Sequence, residues 1–228
     1  PETLGVALAL LLMRQRPFDP AMPDLNHLLR FMLLGVLMPI IPMALGVQGN
    51  LWLLGHVPQA DVLASSLTLW LADSLTVLAI SIPLLAYVTP YMRRRSWLAP
   101  AVLSGSLQVP EALRQLPPWP LLLLLFAGLP WLLGLLPLTL NLPLIGVMML
   151  ALALVWGFAG GICGAVLGAG MVLILPLLRG LGDAQAWLDP QRLEMHVSVL
   201  LFMLATLLVG RSLSDLRHAL VRSAQIQQ

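Results

Sequence analysis

The sequence predicts an all-α integral membrane protein, a polytopic helical bundle of about seven crossings in this piece of 228 residues. Three observations predict it. Hydrophobic residues make up 59% of the chain and charged residues 10%, with a mean hydropathy of +0.93; soluble domains average about 45–50% and 25%. The apolar residues come in runs long enough to span a bilayer. All twelve basic residues are Arg, none is Lys, and they gather in particular loops. The net charge of +2 is small, so the pI near 9.4 reflects loops beside a membrane. Such a balance makes no nucleic-acid face.

The first apolar piece, residues 3–13, is too short for a span of about 20 residues, which fits a helix that is tilted, re-entrant or missing its start. Arg14, Arg16 and the proline-bearing stretch 17–23 end it. A second span, 28–45, carries Pro39 and Pro42. Proline removes a backbone donor and kinks a helix, so freed carbonyls there need a neighbouring helix or water. The loop that follows holds Gln48, Asn50, His56, Gln59 and Asp61 and no basic residue.

The span 65–87 is the centre of the reading, because Asp73 lies near its middle. A carboxylate in hydrocarbon costs about 2.5–3.5 kcal/mol on insertion scales, so it should face a bundle interior or a wet cavity. At about 3.6 residues per turn, Ser66, Trp70, Asp73, Ser74, Val77 and Ser81 fall on one stripe. The opposite side, with Leu71, Leu75, Leu78, Ile82 and Leu85, suits lipid or apolar neighbours.

Pro90 and Arg93, Arg94 and Arg95 close that span, and residues 96–118 read as a surface connection with Glu111 and Arg114. Residues 119–136 are apolar again. The run from 141 to 178 is too long for one crossing at about 1.5 Å per residue, so it must reverse, and the glycines around 156–161 mark where. Its second half carries Gly157, Gly160, Gly161, Gly164 and Gly168, small residues whose spacing lets helix backbones approach closely in lipid. A loop over 179–194 leads to the last span, 196–210, and residues 211–228 form a polar exit helix. Pro1 with no signal peptide before it, and a polar run at the other end, point to a piece of a longer polypeptide.

Strict alternation with the chain end cytoplasmic puts Arg14, Arg16, Arg30, Arg93, Arg94, Arg95, Arg114, Arg211, Arg217 and Arg222 inside, and only Arg179 and Arg192 outside. That asymmetry satisfies the positive-inside rule. In a bacterium the membrane would be the inner one.

Three places resemble the membrane-associated sensor domain of the first type, the integral-membrane input module of bacterial histidine kinases and diguanylate cyclases. Trp70, Asp73 and Pro83 in WLADSLTVLAISIPLL look like that family's W-x-x-D with a downstream P-L-L. Trp156 with Gly161 and Gly164 is similar to its penultimate helix. Gly180 and Gly182, then a final span and a basic helix, match its closing arrangement, and 1–12 with Glu2 looks like its short E-A-L-L-type helix. The resemblance implies a sensor domain over 1–210, lacking its earlier spans, and a signalling linker beginning at 211–228. It implies a homodimer joined through the exit helix, with membrane lipid around the bundle and the effector activity in a fused cytoplasmic domain.

Asp73, Trp70, Ser74 and Ser66 are the candidate ligand-binding residues, for a small ligand that the sequence does not identify. The alternative is a protonated acid serving packing alone, since burial favours the neutral form. Trp52, Trp119 and Trp131 read as interface anchors. His27, His56, His196 and His218 share no ligand spacing, so no metal is assigned. No P-loop, nucleotide fingerprint or nucleophile with a paired base is present, which leaves no catalytic residue and no cofactor. In the tail, Leu213, Leu216, Leu220 and Ser223 or Ala224 have coiled-coil spacing, while Arg211, Arg217 and Arg222 on a surface helix facing lipid headgroups is the competing picture. At the level of the whole protein, a fragment of a secondary transporter would also suit proline-broken spans and a midplane acid.

Overall fold

The computed structural model describes residues 2–14, 19, 22–95, 138–178 and 190–226, with isolated positions between 124 and 135. Every element among them is helical. We label these α1 (Glu2–Arg14), α2 (Leu25–Leu53), α3 (Gln59–Val88, continued by Thr89–Arg94), α4 (Leu138–Leu178) and α5 (Pro190–Ile226). The surface connection 96–118, nearly all of the expected span 119–136 and the loop carrying Gly180 and Gly182 lie outside the described residues.

Among the described residues four helices, α2 to α5, are long and apolar enough to cross a membrane, and they do not support the expected seven crossings. The first apolar piece is a 13-residue helix, about 20 Å long and short of the roughly 30 Å hydrocarbon core. It lies antiparallel along α2, because a Cβ on Gly5 would meet Met43 and the Pro39 carbonyl at 3.5 Å, and one on Gly35 would meet Met13 Sδ at 3.1 Å.

Local chemistry fixes the ends of α2. Asp24 is its N-cap, its carboxylate accepting the His27 backbone N–H at 2.9 Å, which satisfies one of the donors a helix start leaves open. At the far end Gly55, at φ 74°, follows the last turn. Its N–H reaches the Trp52 carbonyl at 2.9 Å and the His56 N–H reaches the Leu51 carbonyl at 2.9 Å, the paired bonds that a glycine in left-handed backbone allows. Between these ends the helix widens into π turns over Phe31–Leu37. A second π stretch, Leu84–Val88, lies in α3. Each stops two residues before a proline, Pro39 and Pro90. A proline ring clashes with the carbonyl four residues back, and a wider turn moves that carbonyl aside.

The two faces of α3 are placed by packing. Leu71, Leu75, Leu78 and Ile82 are buried at 3% exposure or less, so of lipid and apolar neighbours it is apolar neighbours that they meet. Trp70, Asp73, Val77 and Ser81 are half-buried. The leucines win the centre because the surrounding core, with Phe31, Met149 and Met203, is itself apolar and complementary in shape.

In α4, Gly157 has φ 60° and ψ −137°. At that residue the helix folds back on itself. A Cβ on Gly160 would fall onto the Leu152 carbonyl, and one on Gly164 would lie 3.0 Å from the Met149 carbonyl; in a straight helix those pairs would be about 12 and 22 Å apart. The halves 138–156 and 158–178 therefore form a hairpin. Then α5 packs along it. Gly157, Gly161 and Gly168 approach Gly210, Thr206 and Val199 in reversed order, and a Cβ on Gly146 would strike the Phe202 ring at 2.5 Å. Hence α5 runs antiparallel to the second half and parallel to the first. In lipid such contacts stabilise by close van der Waals packing, with no hydrophobic drive.

Candidate functional site

The predicted site residues divide between two environments. Ser66 and Trp70 line an open groove of about 280 Å³ between α2 and α3, with Ile41, Ala44, Leu45, Leu63 and Leu67. Its wall is almost wholly apolar. Ser66 gives its hydroxyl hydrogen to the Val62 carbonyl at 2.7 Å, so it presents little polarity to the groove. Asp73 and Ser74 are not among the lining residues. Asp73 is half-buried and partnered. Ser74 is fully buried, its hydroxyl without a hydrogen-bond partner among the described residues.

Trp70 has a definite task. Its indole N–H donates to the Leu37 carbonyl at 2.9 Å, at the junction of π and α turns in α2. The residue thus ties α3 to the irregular part of α2. Trp70→Phe removes this bond between α3 and α2, so a loss of about 0.5–1.5 kcal/mol is expected. The check is SDS-titration unfolding in bilayer discs, with Trp52→Phe, an exposed tryptophan, as the neutral comparison.

A second polar assembly was not singled out as a site by the sequence reading. It forms where α5 leaves the bundle. Arg211 pairs with Asp215 at 2.6 Å, donates to the Pro23 carbonyl and lies over the Phe158 ring, 5.2 Å from its centroid. Asp215 also accepts the Leu25 N–H at 3.3 Å. Ser214 Oγ accepts the Phe158 N–H at 2.9 Å. Arg217 donates to the Leu154 carbonyl at 3.0 Å and to the Val155 carbonyl at 3.4 Å. Arg211, half-buried, and Arg217, exposed, thus both donate to backbone carbonyls of other helices or their flanks. Arg222 is exposed. The start of α2, the Gly157 turn and the exit of α5 share one end of the bundle.

Asp24 adjoins this assembly. Burial raises its pKa, but the hydrogen bonds and charge of His27 outweigh burial and leave it below the ordinary 3.8. The ring Nδ1 of His27 lies 2.8 Å from the carboxylate. A depressed carboxylate contributes stability above its unfolded-state pKa and loses it as pH falls through the folded value. Asp24→Ala is accordingly expected to cost about 1 kcal/mol at pH 7 and to flatten the acid limb of the unfolding curve below pH 4 relative to the parent. Unfolding midpoints measured from pH 7 to 2.5 check both parts.

Among the described residues, four bilayer-length apolar helices, one of them folded into a glycine-packed hairpin, define a polytopic helical membrane protein. Compared with known families, curated proteins and solved structures, the chain matches none. Among the described residues no three His, Cys, Asp or Glu side chains come together as metal ligands.

Proposed function

We propose that this chain is the membrane-embedded input domain of a bacterial signalling protein, resident in the inner membrane, with α5 carrying a change in the bundle to a cytoplasmic kinase or diguanylate cyclase. The observation that carries the reading is α5 itself. It runs unbroken from Pro190 to Ile226, bonded to the bundle at Arg217 and exposed from residue 219 on, and its outward Leu216 and Leu220 are 56% and 60% exposed. An uninterrupted helix transmits rotation or translation where a flexible linker would not. The two leucines, four residues apart on the outer face, suit a second copy of α5 and a parallel helix pair. The resemblance at Trp70, Asp73 and Pro83 points the same way, and the ligand would meet the Asp73 side of α3.

The test is a fusion of residues 1–228 to a cyclase or kinase reporter, with one to four residues inserted after Ser223. Each inserted residue turns the outgoing helix by about 100°, so a phase-dependent output is expected. Output indifferent to every insertion sinks the reading. Two π stretches and a folded α4 would equally serve the gates of a transporter. Uptake by liposomes carrying the chain would decide for that alternative.

A further inference from the structure

Gly157 ends one helix and begins another within a single residue. The last carbonyls of 138–156 and the first N–H groups of 158–178 thus lack partners within their own helices. Three of these groups are supplied by α5: Ser214 takes the Phe158 N–H, and Arg217, a cation at a helix C-terminus, takes the Leu154 and Val155 carbonyls. The same turn admits α5 in one register. A Cβ on Gly210 would lie 2.6 Å from the Gly157 carbonyl oxygen. Sliding α5 by one turn, about 5.4 Å, would bring Thr206 or Ser214 to that contact, and each has the Cβ for which there is no room. The helix is therefore either seated or released, with no graded slide between.

We propose that Ser214 and Arg217 form a latch on the Gly157 turn, and that release of this latch is the step by which movement in the bundle reaches residues 218–226. The latch deepens the sensory reading and takes its purpose from it, although the clasp is a property of the chain alone. Opening it uncovers the Phe158 N–H and ends the Arg217 hold on the exit helix in one event.

The experiment uses the 228-residue chain in bilayer discs, as the parent and as Ser214→Ala and Arg217→Ala. Amide exchange at Phe158 is read together with the distance between spin labels at Val147→Cys and Leu220→Cys in a Cys163→Ala background. Both labelled positions are exposed, at 63% and 60%. The parent should give one narrow distance. Each variant should broaden it or add a second component, and Phe158 should exchange about tenfold faster, the size expected for losing one such bond. Unchanged exchange and an unchanged distance in a folded variant overturn the latch. Should an alanine variant fail to fold, Arg217→Gln, which keeps a donor but neither fork nor charge, gives the same comparison. Effector output is not read here, so a negative result removes the latch and leaves the sensory reading standing, while phase-indifferent fusions would do the reverse.

Discussion

Gly160→Ala is expected to destabilise the bundle by about 3 kcal/mol or more, the upper part of the range for overpacking, because its new methyl group would occupy the place of the Leu152 carbonyl. A flexible side chain could turn away, but a backbone carbonyl in a helix can move only if the hairpin opens. Gly157→Ala adds a different penalty. Its φ of 60° with ψ of −137° is backbone that L side chains rarely adopt, worth about 1–3 kcal/mol of strain, and its Cβ would lie 2.5 Å from Ser214 Oγ. The internal control is Gly170, in the same helix, where a Cβ would meet nothing within 4 Å. Gly170→Ala should be neutral or stabilise by about 0.5–1 kcal/mol, since alanine loses less backbone entropy in a helix. SDS titration of the three variants side by side reads the difference. If Gly160→Ala unfolds where Gly170→Ala does, α4 is not folded at Gly157.

These glycines mark where the sequence is legible and where it stops. A run of 41 apolar and small residues exceeds one bilayer, so a reversal is forced by length, and clustered glycine says where backbone can turn. Which helix packs against them is another matter. Gly161 and Gly164 have the spacing of a contact face, but only the folded chain brings Thr206 to both. Residues 3–13 read as too short for a full crossing, and the helix there has 13 residues, while nearly all of the expected span 119–136 lies outside the described residues. The prolines of α2 announced freed carbonyls, at Gly35 and Met38 by helical spacing, but the carbonyl that Trp70 meets is that of Leu37, and nothing in the spacing of residues 37 and 70 pairs them. Asp73 drew attention because an acid in an apolar run is costly, yet that cost says only that it must be partnered. The assembly around Arg211 was harder to read, because its members come from three distant places in the chain. In a positive-inside count Arg211 and Arg217 are two more loop arginines, and their inward bonds depend on open helix ends that exist only once α2 and α4 have formed.

Arg211→Ala is expected to cost about 2–3 kcal/mol, far more than Arg222→Ala, whose side chain is exposed and whose loss should stay within about 0.5 kcal/mol. The Arg211 side chain is only 11% exposed and serves three partners on different elements: Asp215, the Pro23 carbonyl and the Phe158 ring. Removing it leaves Asp215, 34% exposed, beside the start of α2 with its counter-charge gone, and the penalty of a half-buried unpaired carboxylate adds to the lost contacts. Asp215→Ala strands Arg211 in the same way. The double variant should therefore be less destabilised than the sum of the two, by about 1–2 kcal/mol of coupling. Arg211→Lys should recover less than half of the loss, because a point-like ammonium cannot reach a carboxylate and a carbonyl while stacking on an aromatic face. Raising the salt concentration separates this account from a simple surface ion pair. Exposed pairs weaken as the screening length falls toward about 3 Å at 1 M, whereas a guanidinium held among a carbonyl, a ring and a carboxylate should keep most of its coupling. A coupling that disappears in high salt would mean that Arg211 only sits near Asp215, and that α2 and α5 are not tied together at this end of the bundle.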